Sequence, residues 1–323
     1  MNWERVAIEL VRAARGSRTQ QALSRALGYR ANALFAWESG RDAPSARKFF
    51  LLLKTTGRPP LEVLARFGRG NAESCPTTRE GMAQYLRSLV GNRTTHQLAR
   101  QLERDRYAVG RWLRGTTDIP LGEFLRLIEL CTLSPLDFIA CAVDPQSVPS
   151  IASSYARVEA ARLAAKQLPW SHAIVHMVDL PEYRELPKHV PGWFASRLGI
   201  SINDEQRCLD VLIQMGRLRW EEGRLMGTED LSVDMRADPD VTRKLASFWM
   251  AQGAERVLTP GEGRFAFNAF GVSRTDFERL KALQSRYFAE LRSIVAASER
   301  AELVAVATFQ LFPLAGDELP PQR

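Results

Sequence analysis

Four arginines fall within eleven residues, at Arg104, Arg106, Arg111 and Arg114, with Tyr107 among them. Guanidinium groups so spaced suit anions, and a bidentate arginine against guanine O6 and N7 discriminates between bases by ~1–3 kcal/mol. His172 and His176 form a second candidate, because four-residue spacing on a helix can bring two imidazoles to one metal. No third ligand accompanies them and SHAIVHMV is largely apolar, so they read as packed or half-exposed histidines. Cys75, Cys131, Cys141 and Cys208 are scattered without a C-x-x-C pair, which argues against a metal ribbon or a disulfide framework. GRG at 68–70 and GEG at 261–263 read as turns, since neither joins a strand–loop–helix pattern. G-x-S-x-G, H-E-x-x-H and cysteine–histidine nucleophile contexts are absent from the sequence. The chemistry on offer is the binding of an anion; neither a reaction nor a cofactor is expected.

What positions the arginines is a stretch present twice. LARQLERDRYAVGRWLRG at 98–115 aligns without a gap, at an offset of 75, with LSRALGYRANALFAWESG at 23–40. Leu23 falls on Leu98, Leu27 on Leu102, Leu34 on Val109, Trp37 on Trp112 and Gly40 on Gly115. A short helix with leucines four apart, a tight turn, and a second helix burying a branched residue and a tryptophan must cross steeply. The outer face of the second helix is then free to enter a DNA groove. In the first copy that face offers Arg30, Ala31, Asn32, Phe35 and Ala36, with Arg41 just beyond. Phe35 suits a thymine methyl, Arg106 and Arg111 suit base edges, and Arg104 and Arg114 flank the face as phosphate holders. Gln20, after the helix-capping candidates Ser17 and Thr19, can add a side-chain donor where backbone amides attract phosphate. Thr95 and His96 open the corresponding helix of the second copy, and His96 reads equally as an ordinary helix-start residue. Trp37 and Trp112 face inward. The bland alternative is that one copy has been retired to packing.

Both copies resemble the lambda-repressor-like (xenobiotic-response-element type) helix-turn-helix family. The first is similar from Thr19-Gln20 through Leu23, Gly28, Leu34, Trp37-Glu38 and Gly40 to Pro44, and the second from Thr95 through Leu98-Ala99, Val109, Trp112-Leu113 and Gly115 to Pro120. The second departs at the turn, where Glu103 stands in the place of Gly28. A positive φ favours glycine there, so a strained or reshaped turn is expected. The resemblance implies sequence-specific contact with double-stranded DNA.

Apolar periodicity extends the repeat to five helices each. The first set runs from a helix over 4–15 through the candidate reading helix 30–38 to 59–67; the second comprises 79–90, 95–102, 106–114, 121–131 and 134–142. PPLEVLA at 59–65 matches SPLDFIA at 134–140, with a one-residue insertion before Pro120. GRGNAESCPTT (68–78) and DPQSVPS (144–150) read as linkers, and a helix is expected over 152–168. PGWFASRLGIS, NDEQRCLDVLIQMG and RLRWEEGRLMGT then predict helix, helix and a hairpin turning near Glu222-Gly223, as in a winged helix. The second of these helices carries Asp204, Glu205 and Asp210 against Arg207, which suits a structural or pairing role better than phosphate contact. A helix near 239–256, a strand at 264–272, a helix at 274–297 and a strand at 301–314 predict a small α+β unit, with Phe277, Leu280, Leu283, Phe288 and Leu291 facing the sheet. This half resembles the C-terminal region of an uncharacterised group of bacterial transcription regulators, whose closing strand is similar to ATFQLFPL.

The expected architecture is mainly α: helix-turn-helix domains at 1–68 and 78–143, a helical and winged-helix-like module at 151–230, and an α+β dimerisation or sensing unit at 231–315. The net charge of +7 is uneven, with 13 basic against 5 acidic residues in 1–70, 9 against 9 in 71–150, and 22 against 23 thereafter. A polyanion is therefore attracted most strongly to the first repeat. The absence of an 18–20-residue apolar run and of a signal-peptide pattern points to a cytoplasmic chain without a membrane partner. Sequence reading thus favours a DNA-binding transcription regulator acting as a homodimer on an inverted repeat, receptive to a small-molecule or protein signal. The alternative is an adaptor whose helix-turn-helix units dock on proteins.

Overall fold

The computed structural model describes residues 1–70, 75–228, 239–259, 261–298 and 301–314. Ten helices form the N-terminal half: α1 (Trp3–Arg15), α2 (Gln20–Ala26), α3 (Ala33–Glu38), α4 (Ala46–Thr55), α5 (Pro60–Phe67), α6 (Arg79–Val90), α7 (Thr95–Leu102), α8 (Arg106–Arg114), α9 (Leu121–Thr132) and α10 (Pro135–Ala142). The periodicity expected from sequence matches these bounds closely. Helix starts repeat at the offset of 75 even beyond the proline: 20 and 95, 46 and 121, 60 and 135.

The two helical sets share one continuous core. Val6, Leu10, Leu34, Trp37 and Phe49 from the first set join Tyr85, Leu98, Val109, Phe124 and Ile128 from the second. Helix α5 packs on α10 and α1 on α9. Edge-on aromatic pairs cross the seam, Phe50 with Phe124 at 5.9 Å and Phe67 with Phe138 at 5.5 Å between ring centroids. Asp118 receives Arg47 from the first set at 2.8 Å and meets Arg79 at 3.4 Å. An isolated antiparallel bridge pairs Ser45 with Pro120.

The segment expected as a second linker is part of this body. A 3-10 turn (Pro145–Ser147) leads into α11 (Pro149–Gln167), and Val148, Ile151 and Val158 lie in the shared core. Glu9 accepts from the Ser150 main-chain N–H at 2.8 Å and its hydroxyl at 2.7 Å, which fastens the start of α11 to α1.

After α11 come α12 (Trp170–Met177), α13 (Pro181–Arg184), α14 (Trp193–Leu198) and α15 (Ile202–Gln214), then β1 (Leu218–Glu221) and β2 (Arg224–Gly227), antiparallel with Leu218 opposite Gly227. Glu222 and Gly223 turn the hairpin with φ of 49° and 78°, the left-handed values a two-residue hairpin turn needs. Ile174, Phe194, Leu209 and Leu225 centre a second core. Buried Glu205 accepts from the backbone N–H of Gly192 at 2.7 Å and from that of Ala195, tying α15 to the start of α14.

Helix α16 (Pro239–Val257) packs Val241 and Leu245 against Ala165 of α11, and α17 (Arg274–Ala297) follows. The α+β unit is not formed among the described residues: 264–272 and 301–314 take no regular secondary structure, and β1–β2 is the only sheet there. Leu283 of the expected buried stripe is 52% exposed, while Phe277, Leu280, Phe288 and Leu291 are half-buried. A strand needs a partner at hydrogen-bonding distance as well as an apolar sequence, and these segments find none among the described residues. Expectations for 71–74, 229–238 and 315 lie outside the described residues.

Candidate nucleic-acid interface

In the first repeat Leu34 and Trp37 anchor α3 in the core, with Tyr29 edge-on to Trp37 at 5.6 Å. Asn32 caps α3: its Oδ1 accepts from the Phe35 N–H at 3.2 Å and from the Ser24 hydroxyl at 3.1 Å. Ser24 in turn accepts from the Leu34 N–H, so α2 and α3 are stitched together at their crossing. Buried Glu38 gathers the charges behind α3. Arg15 donates to it at 2.6 Å and Gln20 at 2.7 Å, while Arg12 donates to its main-chain carbonyl. The Gln20 amide is therefore engaged within the domain. Arg30 and Arg41 are exposed, and Arg41 sits 5.3 Å over the ring of Phe35, itself 45% exposed.

The second repeat follows the same plan with different side chains. Thr94 and Gln97 form a capping box at the start of α7. Glu103 takes φ 54°, ψ 43°, so the left-handed turn of Gly28 (φ 85°) is kept in spite of its side chain. Asp105 accepts from the N–H groups of Tyr107 at 2.7 Å and Ala108 at 3.1 Å and so caps α8. Val109 is buried; Arg106, Tyr107, Arg111 and Arg114 are exposed. Arg104 turns back to Glu123 of α9, with Nε and Nη2 at 3.0 and 2.5 Å from one carboxylate oxygen. His96 is exposed at the first turn of α7.

The structure brings Thr95, Arg106, Tyr107 and Arg114 around a hollow of about 230 Å³, with Gly110 also lining it. A Cβ at Gly110 would lie 3.1 Å from a guanidinium nitrogen of Arg114. Two guanidinium groups, a threonine hydroxyl and a phenol around such a space suit a phosphate oxygen. Sequence reading missed Gly110. Its signal was a glycine in the middle of a helix, where helix propensity disfavours it, flanked at both four-residue steps by arginine.

Other sequence candidates stay separate from this face. His172 and His176 lie edge to face at 5.2 Å on α12, and His172, pressed by burial and then by the charges of His176 and Arg217, has its pKa pushed down to about 4. No group of three or more metal-ligating side chains occurs among the described residues. No helix among them is long and apolar enough to cross a membrane.

Two short helices stitched by Ser24 and Asn32, with Arg30, Phe35 and Arg41 exposed on the second and beside it, give the first repeat the form of a helix-turn-helix. Residues 9–63 match the model of the Helix-turn-helix family, and residues 155–314 match that of the Domain of unknown function (DUF4423). No curated protein and no solved structure gives a significant match.

Proposed function

We propose that the chain is a sequence-specific DNA-binding transcription regulator in which both repeats are helix-turn-helix units. The observation that carries this is the bare outer face of α8, where Arg106, Tyr107, Arg111 and Arg114 are exposed and three of them line the Thr95 hollow. Arg114, Thr95 and the excess positive charge of residues 1–70 hold phosphates, and Arg106 and Arg111 reach base edges. Phe35 serves α3 in the same capacity toward a thymine methyl.

The winged-helix-like module and the segments beyond it join two copies, which then meet an inverted repeat. Supporting this, Phe267 is 97%, Leu314 81%, Leu303 67% and Phe312 63% exposed, large apolar side chains that a second copy would cover. The domain receives the regulatory signal; no catalytic step is part of the proposal.

The deciding experiment is selection of bound duplexes from random DNA at fixed salt, with the wild-type chain and with Arg106→Ala/Arg111→Ala. An enriched sequence that the double variant no longer prefers supports the reading. A chain that enriches nothing, yet retains a protein partner in both forms, is an adaptor and not a regulator that reads DNA.

A further inference from the structure

The two repeats meet at a junction that has a local two-fold of its own, although the packing of α1 on α9 has no counterpart between α6 and α4. The offset of 75 carries Ser45 onto Pro120, and the antiparallel bridge joins those two equivalent residues to each other. Its hydrogen bonds, Ala46 N–H to Ile119 O and Leu121 N–H to Pro44 O, are both 2.9 Å and exchange under the same offset. Flanking hydrogen bonds that exchange symmetrically about an antiparallel bridge place a local two-fold between the two bridged residues. Helices α5 and α10, equivalent in the two repeats, pack on one another at the same seam. The continuous core and the Arg47–Asp118–Arg79 cluster fix the two units together.

The bridge bounds the distance between the reading helices. Helix α3 ends seven residues before Ser45 and α8 six residues before Pro120. Fully extended, those segments reach about 25 Å and about 21 Å, and the bridge itself adds about 5 Å, so the two helix ends lie within roughly 50 Å of each other. One turn of duplex, about 34–36 Å, falls inside that bound, and two turns fall outside it. The reading faces are also unlike. The face of α3 presents Phe35 under Arg41, and that of α8 presents Arg106, Tyr107 and Arg111. An exposed phenyl ring suits a thymine methyl, whereas arginine suits guanine O6 and N7.

We propose that a single chain reads two unlike blocks of duplex at one fixed spacing, a thymine-bearing block under α3 and a guanine-bearing block under α8. This rests on the DNA-binding reading above and adds to it that one chain is already a two-headed reader before any second copy joins.

The test uses the full chain. Sequences selected from random duplex are compared for wild type, Phe35→Ala, and Arg106→Ala/Arg111→Ala, with circular dichroism melts to check that these surface variants fold. The expected result is two blocks per chain, one erased only by Phe35→Ala and the other only by the arginine pair. Inserting 5 or 10 base pairs between the blocks then lowers affinity at least ~100-fold, to that of a single block, because the second contact is no longer intramolecular. A single enriched block lost with the arginine pair and indifferent to Phe35→Ala overturns the proposal while leaving the DNA-binding reading intact. So does recovery of affinity at 10 base pairs, which would mean a flexible tether. Enrichment of nothing overturns both.

Discussion

Arg162 on α11 donates to the Asp137 carboxylate of α10 at 2.6 Å, and with 4% of its surface exposed it is among the most deeply buried charges of the chain. The same guanidinium holds Glu159 at 2.6 Å. Removing one member of such a pair strands the other without water. Arg162→Ala is therefore expected to cost about 3–5 kcal/mol in urea unfolding, and the double replacement Arg162→Met/Asp137→Leu much less. Equal losses in the two variants would contradict this account.

Asp118 sets an acid limit on the seam between the repeats. Burial opposes its ionisation, but the Arg47 hydrogen bond and the charges of Arg47 and Arg79 prevail and hold the carboxyl below its usual range. A depressed folded pKa adds stability above the unfolded value of about 3.9, and that stability is lost as pH falls through the folded value. Asp118→Asn should lower stability at neutral pH and flatten this part of the acid-unfolding curve. An acid limb of unchanged slope would speak against the cluster.

His172 acts in a higher window. Its folded pKa of about 4 lies below the ordinary 6.5, so the unfolded chain takes up the proton first. Stability is complete above about pH 6.5 and declines as pH drops toward 4. His172→Phe, which takes up no proton, should remove that decline, as read from urea midpoints between pH 7 and 4. The surrounding charges that oppose protonation are His176 and Arg217.

Gly110→Ala separates fold from binding. The added methyl meets only the flexible end of Arg114, and alanine favours a helix interior over glycine by roughly 0.5–1 kcal/mol. The variant should melt no lower than wild type yet bind DNA more weakly at every sequence, with the log–log salt slope reduced by about 1 as one phosphate contact is lost. Wild-type affinity with the same slope would remove the hollow from the interface.

At the turn of the second repeat, Glu103 carries a left-handed backbone that glycine adopts without cost. Glu103→Gly should stabilise the chain by about 1 kcal/mol in chemical denaturation. A loss of stability would mean that the glutamate side chain contributes more than its backbone strain removes.

That turn was legible in advance because the repeat itself marked the position, and the ten N-terminal helices were legible because their periodicity is local. The lack of strands at 264–272 and 301–314 was not, since apolar runs announce strand propensity without naming a partner. The same distinction divides the candidate site. Exposure of Tyr107 and Arg111 follows from their phase on α8. By contrast, Gln20 is drawn to Glu38 and Arg104 to Glu123 across 18 and 19 residues of chain. Motif position alone carries no sign of those acids.

Helix α11 has 19 residues, which makes a rod about 28 Å long. Ile151 and Val158 seat one end beneath the paired repeats, and Ala165 seats the other against Val241 and Leu245 of α16. A stiff beam clamped at both ends cannot tilt at one without torque at the other. A repacking at the α16 end would therefore load the platform from which α3 and α8 project.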